Sequence, residues 1–303
     1  MNTASIHKKF FTRRAKKNIF VAVMLLIPIV HFIIFWGIVN FNSILYAFER
    51  LNPVTKERYF TTDNFNMISV LFKSGELRKA FGNTILTWAF LTVFLLPWSF
   101  LLTYFLYKKI PLKGFWRTML FVPTLLPAVA MTSIFRYLIY PQAPIGKFIG
   151  FFMEQTPAFL ENGDYARWTV IVYIFLTNFG GQFVLLSGAM ARVPKEVTES
   201  AYLDGAGMRV EMLRIVLPLC WPTLSMLLLL NTASLFTASG PVLLLTEGYY
   251  DTKTISYWIF EQTMWGNNYY VAAALGMSCT ALLFPIVIFV RWALSKVYAN
   301  VEF

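Results

Sequence analysis

The sequence predicts an all-α integral membrane protein with six transmembrane helices and both termini on the cytoplasmic side. Three observations carry this. Hydrophobic residues make up 57% of the 303 residues and charged residues only 14%. Several runs of about twenty residues carry no charge, the length that crosses a hydrocarbon core of about 30 Å. The basic residues, finally, gather on one side of the spans so defined.

Taken in order, residues 1–18 form a basic tail holding Lys8, Lys9, Arg13, Arg14, Lys16 and Lys17 without an acid. The apolar run that follows is too long for a signal-peptide core and has no small-residue cleavage site, so it predicts an uncleaved first helix over 19–47. Residues 48–80 read as a polar extracytoplasmic loop with a short surface helix. The transmembrane domain follows over 81–295. Its spans fall at 81–107, 115–134, 168–191, 217–236 and a sixth ending near Val290, before a short C-terminal tail at 296–303. Pro97, Pro123 and Pro127 lie inside spans and predict kinks. With these boundaries, 16 of the 26 lysines and arginines and 5 of the 15 acids share a side with the N-terminus. That side is cytoplasmic by the positive-inside rule. The net charge of +11 therefore reads as topology, with anionic lipid rather than nucleic acid as the counter-surface. Cys220 and Cys279 fall within apolar runs and predict no disulfide framework.

The stretch 192–216 interrupts this pattern. Pro194 suits a first helical position, and Glu196 and Glu199 set negative charge near the positive end of the helix dipole. Asp204-Gly205 tolerates the left-handed turn that ends one helix and can begin the next. Met208, Met212 and Ile215 then recur at helical spacing opposite Arg209 and Glu211, until Pro218. Two short helices meeting at a glycine corner are expected.

Several chemistries are excluded. No charged residue lies in the central part of spans two, four, five or six, which disfavours an ion-coupled transporter. Gly205-Ala206-Gly207 lacks the remaining glycine and the lysine of a phosphate loop, so the chain does not hydrolyse ATP alone. No His-Glu-x-x-His or Gly-x-Ser-x-Gly pattern marks it as an enzyme. What remains polar in the spans is uncharged: Asn83, Thr84 and Thr87, then Asn178 and Gln182, then Asn231, Ser234, Thr237 and Ala238. Such residues, like Gly180-Gly181, can simply join helix to helix, at about 0.6–2 kcal/mol for a hydrogen bond. They can also line a cavity, together with Trp88, Phe179 and Phe183, that suits a neutral polyhydroxylated solute. Both readings stand at this point.

Glu199-Ser200-Ala201, Asp204-Gly205-Ala206 and Ile215-x-Leu217-Pro218 together resemble the EAA loop of the membrane subunits of binding-protein-dependent ABC importers. Asn83-Thr84, Arg117 with Phe121-Val-Pro123 and Pro127, Gly240-Pro241 through Thr246, and Ala272 through Gly276 are similar to the carbohydrate-uptake branch, of the maltose-type larger permease. The resemblance covers roughly residues 15–295. Ser200 and Met212 depart from it, where alanine and phenylalanine are usual, and both positions bear on docking affinity. It implies a type I ABC importer transmembrane fold with a cytoplasmic coupling helix, in the bacterial cytoplasmic membrane. It also implies a second homologous permease, two ATPase subunits that hold ATP and Mg, an extracytoplasmic solute-binding protein and a carbohydrate substrate. No cofactor or metal is expected on this chain. The resemblance implies ATPase coupling through Glu196, Glu199, Ala201, Asp204, Gly205 and Arg209. A solute path along Asn231, Ser234 and Thr237, with Gln182 and Asn178, is the companion expectation. The alternatives are an importer of another polar solute, such as a phosphorylated polyol, or a membrane scaffold or enzyme.

Overall fold

The computed structural model describes residues 13–108, 110–152, 158–237 and 240–297. Most of the predicted N-terminal tail, the C-terminal tail from 298 and Ala238 lie outside the described residues. Four helices are long and apolar enough to cross a membrane: α1 (Ala15–Phe48), α3 (Glu76–Tyr107), α7 (Gly163–Met190) and α13 (Tyr269–Val297). Two bent pairs bring the number to six if each is one span. The first pair is α4 (Lys113–Leu125) with α5 (Ala128–Ile139) and α6 (Pro144–Gly150), the second α9 (Met208–Leu219) with α10 (Trp221–Ala233). A short helix, α11 (Gly240–Leu245), follows the second pair and packs against α5 and α7.

Prolines set where these helices break, though not by the simple kinks expected. Pro97 and Pro218 follow segments that widen into π-turns, Leu91–Leu95 and Met212–Val216, and α3 continues unbroken through its proline. A π-turn relieves the clash between a proline ring and the preceding turn. Pro127 acts differently: Leu126 before it is extended, with ψ 141°, as pre-proline sterics favour, and the chain turns by 112°. At about 20 Å, α4 alone is too short to cross. The second break, 69°, falls at Cys220, with Pro222 opening α10.

Other boundaries shift for local reasons. Helix α7 begins at Gly163 because the Asn162 side chain accepts from the Asp164 N–H at 2.9 Å and caps it. Helix α3 starts at Glu76, just after left-handed Gly75. The loop read as 48–80 holds α2 (Asp63–Lys73), the surface helix expected, and also a hairpin of β1 (Glu49–Leu51) and β2 (Arg58–Phe60). The all-α prediction missed this pair. Asn64 of α2 ties that helix to the junction of α1 and β1, donating to the carbonyls of Ala47 and Glu49 at 3.0 and 2.8 Å.

The core divides between the two ends of the bundle. Around the base of the 192–216 loop, Tyr104, Leu186, Met190, Val216 and Cys220 are fully buried together. At the opposite end, Leu77, Trp258, Val271, Leu275 and Cys279 pack α3 against α13 and the helix α12 (Ile255–Met264). Both cysteines are buried and free. Helix α1 stands outside this core, with no buried residue in its apolar window and its C-terminal part against α13. Between the ends, α4 crosses α7 at Gly180, where an added Cβ would lie 2.5 Å from Thr124 Cγ2. One residue on, Gly181 faces open space. Gly180→Ala is therefore expected to cost about 1–3 kcal/mol through overpacking, while Gly181→Ala is neutral. Tryptophan-fluorescence melting of the two variants in detergent checks this; equal midpoints would remove Gly180 as the crossing point.

Candidate functional site

The 192–216 loop folds as two helices at a corner. Helix α8 (Lys195–Leu203) starts one residue later than expected, because Pro194 is extended (φ −61°, ψ 132°) and stands as its cap. Glu196 and Glu199 are exposed on it, and Ala201 is buried beneath. The last turn ends in a full Schellman motif. Ala206 N–H reaches the Ala201 carbonyl at 2.9 Å and Gly205 N–H the Tyr202 carbonyl at 3.0 Å. Gly205 takes φ +77° to close it, and a β-carbon added there would meet no neighbour within 4 Å, so backbone conformation alone requires glycine. Asp204 ends α8 and does not begin the next helix; extended Gly207 does that, without a side-chain cap.

Beyond the corner, Arg209 is exposed, but Glu211, expected on the same polar face, is buried. It forms an ion pair with Lys108, just past the end of α3. Tyr104 on α3 donates its hydroxyl to the Met208 carbonyl at 3.3 Å, and Trp221 Nε1 donates to the Leu294 carbonyl on α13 at 3.4 Å. The second helix of the loop is thus anchored to α3, and α10 just beyond it to α13, while the tip of the first helix stays exposed. Tyr202 and Leu203 at that tip are 79% and 85% exposed.

A second feature lies midway along α7. A cavity of about 260 Å³ opens between Thr84, Thr87, Trp88 and Leu91 of α3, Ile174 and Asn178 of α7, and Asn231, Ser234 and Leu235 at the end of α10, closed by Pro241 and Thr254. None of these residues is charged. On two of the lining residues, Trp88 Nε1 and Asn231 Nδ2 are buried without a hydrogen-bond partner. Three of the five predicted solute-path residues meet here: Asn178, Asn231 and Ser234. Gln182 is buried further along α7 and Thr237 lies beyond the cavity, because α10 ends at Ala233 and the spacing past it is not helical. Phe179 and Phe183 stack on each other in the core with Leu95.

Two groups escape a reading by spacing alone. Asn83 and Thr84 bind backbone: Asn83 Nδ2 donates to the carbonyls of Asp251 and Lys253 at 2.6 and 2.9 Å, and Thr84 Oγ1 accepts from the Ile255 N–H at 3.0 Å. They clamp the turn after span five. Nearby, Tyr257 donates to the Glu247 carbonyl at 2.8 Å; burial foremost, then Glu261 and Glu247, pushes its phenol up to about 12. The Lys108–Glu211 pair left no periodic signal, since its halves lie in two different loops. Among the described residues no group of three or more His, Cys, Asp or Glu could hold a metal ion.

Comparison with known proteins follows the same lines. Residues 96–297 match the family model of the binding-protein-dependent transport system inner membrane component. The multiple sugar-binding transport system permease protein MsmF of Streptococcus mutans is 25% identical over 84% of this chain and 87% of its own. The sn-glycerol-3-phosphate transport system permease protein UgpA of Escherichia coli is 26% identical over 97% and 99%. Among solved structures, a chain of a bacterial ABC transporter involved in the import of the acidic polysaccharide alginate superposes with a TM-score of 0.82, covering 94% of this chain and 98% of that one at 22% identity.

The anchoring pair yields a test of its own. Lys108→Met leaves the Glu211 carboxylate buried and alone, an expected loss of about 3 kcal/mol, whereas Lys108→Met with Glu211→Leu recovers most of it. Unfolding in mixed micelles measures both; a single variant as stable as the parent would show that the pair anchors nothing.

Proposed function

Since the chain belongs to the family of binding-protein-dependent transport system inner membrane components, a multi-pass permease of ABC importers, we propose that its cargo is a sugar or oligosaccharide. The observation that carries this is the cavity: amide, hydroxyl and indole groups without charge, two of them buried donors lacking partners. A sugar supplies hydroxyl acceptors for Trp88 and Asn231 and an apolar ring face for the indole. Relatives named for the transport of multiple sugars and of alpha-glucosides support the same class. A phosphorylated polyol is the second reading, since one relative of nearly full coverage is a glycerol-3-phosphate permease. A phosphate calls for Arg or Lys in the path, and the cavity lining has neither.

In the proposed complex this chain pairs with a second permease, two ATPase subunits and an extracytoplasmic solute-binding protein. Its N-terminus, C-terminus and 192–216 loop face the cytoplasm. Helix α8 sits in a cleft of an ATPase subunit, with Glu196 and Glu199 toward its donors and exposed Tyr202 and Leu203 as apolar contacts. Asp204 and Gly205 fix the corner, Ala201 packs beneath it and Arg209 flanks it. ATP, with Mg, is bound and hydrolysed by the partner subunits. Closure of the ATPase pair pushes α8, and the Schellman corner with the Lys108 anchor passes that motion to spans two, four and five. The cavity then changes the side to which it opens.

Trp88→Phe and Asn231→Ala each remove one donor and are expected to lower uptake about three- to tenfold in vesicles, with Thr237→Ala unchanged. Unaltered uptake in both cavity variants would leave these residues as helix-packing groups. Gly205→Val forces a β-branched residue into the left-handed region, at about 1–2 kcal/mol or more. Membrane levels should persist while ATPase co-purification and uptake fall; normal uptake would sink the coupling role.

A further inference from the structure

A cavity of about 290 Å³ lies between α3, α4 and α7, apart from the solute path. Its polar lining comes from Thr103 and Tyr107 of α3, Lys113 and Arg117 of α4 and Ser187 of α7, over the apolar wall of Phe183. We propose that it binds the headgroup of an anionic phospholipid.

Four features converge on that chemistry. Lys113 and Arg117 stand four apart on α4 and so share one helix face. Both are exposed, and among the described residues neither has a carboxylate within ion-pair distance. Lys113 opens the 13-residue α4, whose free N–H groups and dipole add to the attraction for an anion. The depth is right as well. The cavity sits where α3 ends at Tyr107, α4 begins at Lys113 and α7 ends at Met190, the level at which a bilayer presents its headgroups. Beneath the cations the walls turn apolar, and Gly114 leaves open space beside them, with nothing within 4 Å of an added β-carbon. Cations over apolar walls match an amphiphile. A soluble phosphate would use the cations and leave those walls against water.

The site also has a mechanical position. Ala191, at its edge, directly precedes the 192–216 loop. A headgroup held there would bridge α4 to the last turn of α7, just where the loop departs. The inference depends on membrane embedding alone and not on which solute is carried.

Native mass spectrometry of the intact transporter, released from nanodiscs with equal phosphatidylglycerol and phosphatidylcholine, tests it. Phosphatidylglycerol should be retained about tenfold over phosphatidylcholine. Lys113→Gln with Arg117→Gln should bring that ratio close to one. Gly114→Leu, which keeps both charges and fills the space, should do the same, so a poorly assembling double variant does not end the test. Undiminished retention in both variants would overturn the proposal. So would displacement of the lipid by millimolar inorganic phosphate, which would mark a soluble-anion site.

Discussion

The structure depends on one constraint: inside a bilayer, backbone polar groups have no water to bond and must be satisfied by the protein. The chain meets it with helices and treats every irregularity as a local repair. Thr84, Thr103, Thr132 and Thr232 each return their hydroxyl to the carbonyl four residues back, so these four side chains donate within their own helix. Prolines are absorbed by π-turns ahead of Pro97 and Pro218. Where the chain does leave helix, after span five, Asn83 and Thr84 supply the bonds its backbone lacks. Of the two readings the sequence left open for these residues, Asn83 takes the packing one, while Thr84 both holds backbone and lines the cavity.

The same constraint explains what was legible in advance. Apolar runs of spanning length, the glycine corner and the place of the polar loop just after α7 follow from composition and spacing. Long-range bonds do not. The break at Pro127 is foreshadowed by pre-proline sterics at Leu126, but the seating of Thr124 of α4 against Gly180 of α7 joins residues far apart in the chain. Glu211 reads as solvent-facing because helical periodicity cannot see a lysine a hundred residues away. Thr237 falls in the cavity only by continuing a helix that stops at Ala233. Periodicity is trustworthy only within an element, and the end of α10 carries no sequence cap to warn of it.

The 192–216 loop and the cavity are joined by the same long helices. Asn178 lines the cavity and Met190 ends the same helix, separated by about 18 Å at 1.5 Å per residue. Tyr104 and Lys108, at the end of α3, hold the second helix of the loop, and Thr84, Thr87 and Trp88 of the same α3 line the cavity. Two long helices therefore touch both places. A displacement of the loop reaches the cavity through packed cores that shift as units and do not bend continuously.

An uncharged cavity with two unpartnered donors fits a conduit better than a store. Leaving a buried donor unpaired costs about 1–3 kcal/mol, and a solute hydroxyl that satisfies it recovers that cost. That recovery is far below what a buried ion pair or charged clamp would supply. Passage requires both entry and exit, so a site along a path must bind weakly. A shallow well needs no charge in the cavity, and the buried charge of this part of the chain, the Lys108–Glu211 pair, lies apart from it at the base of the 192–216 loop.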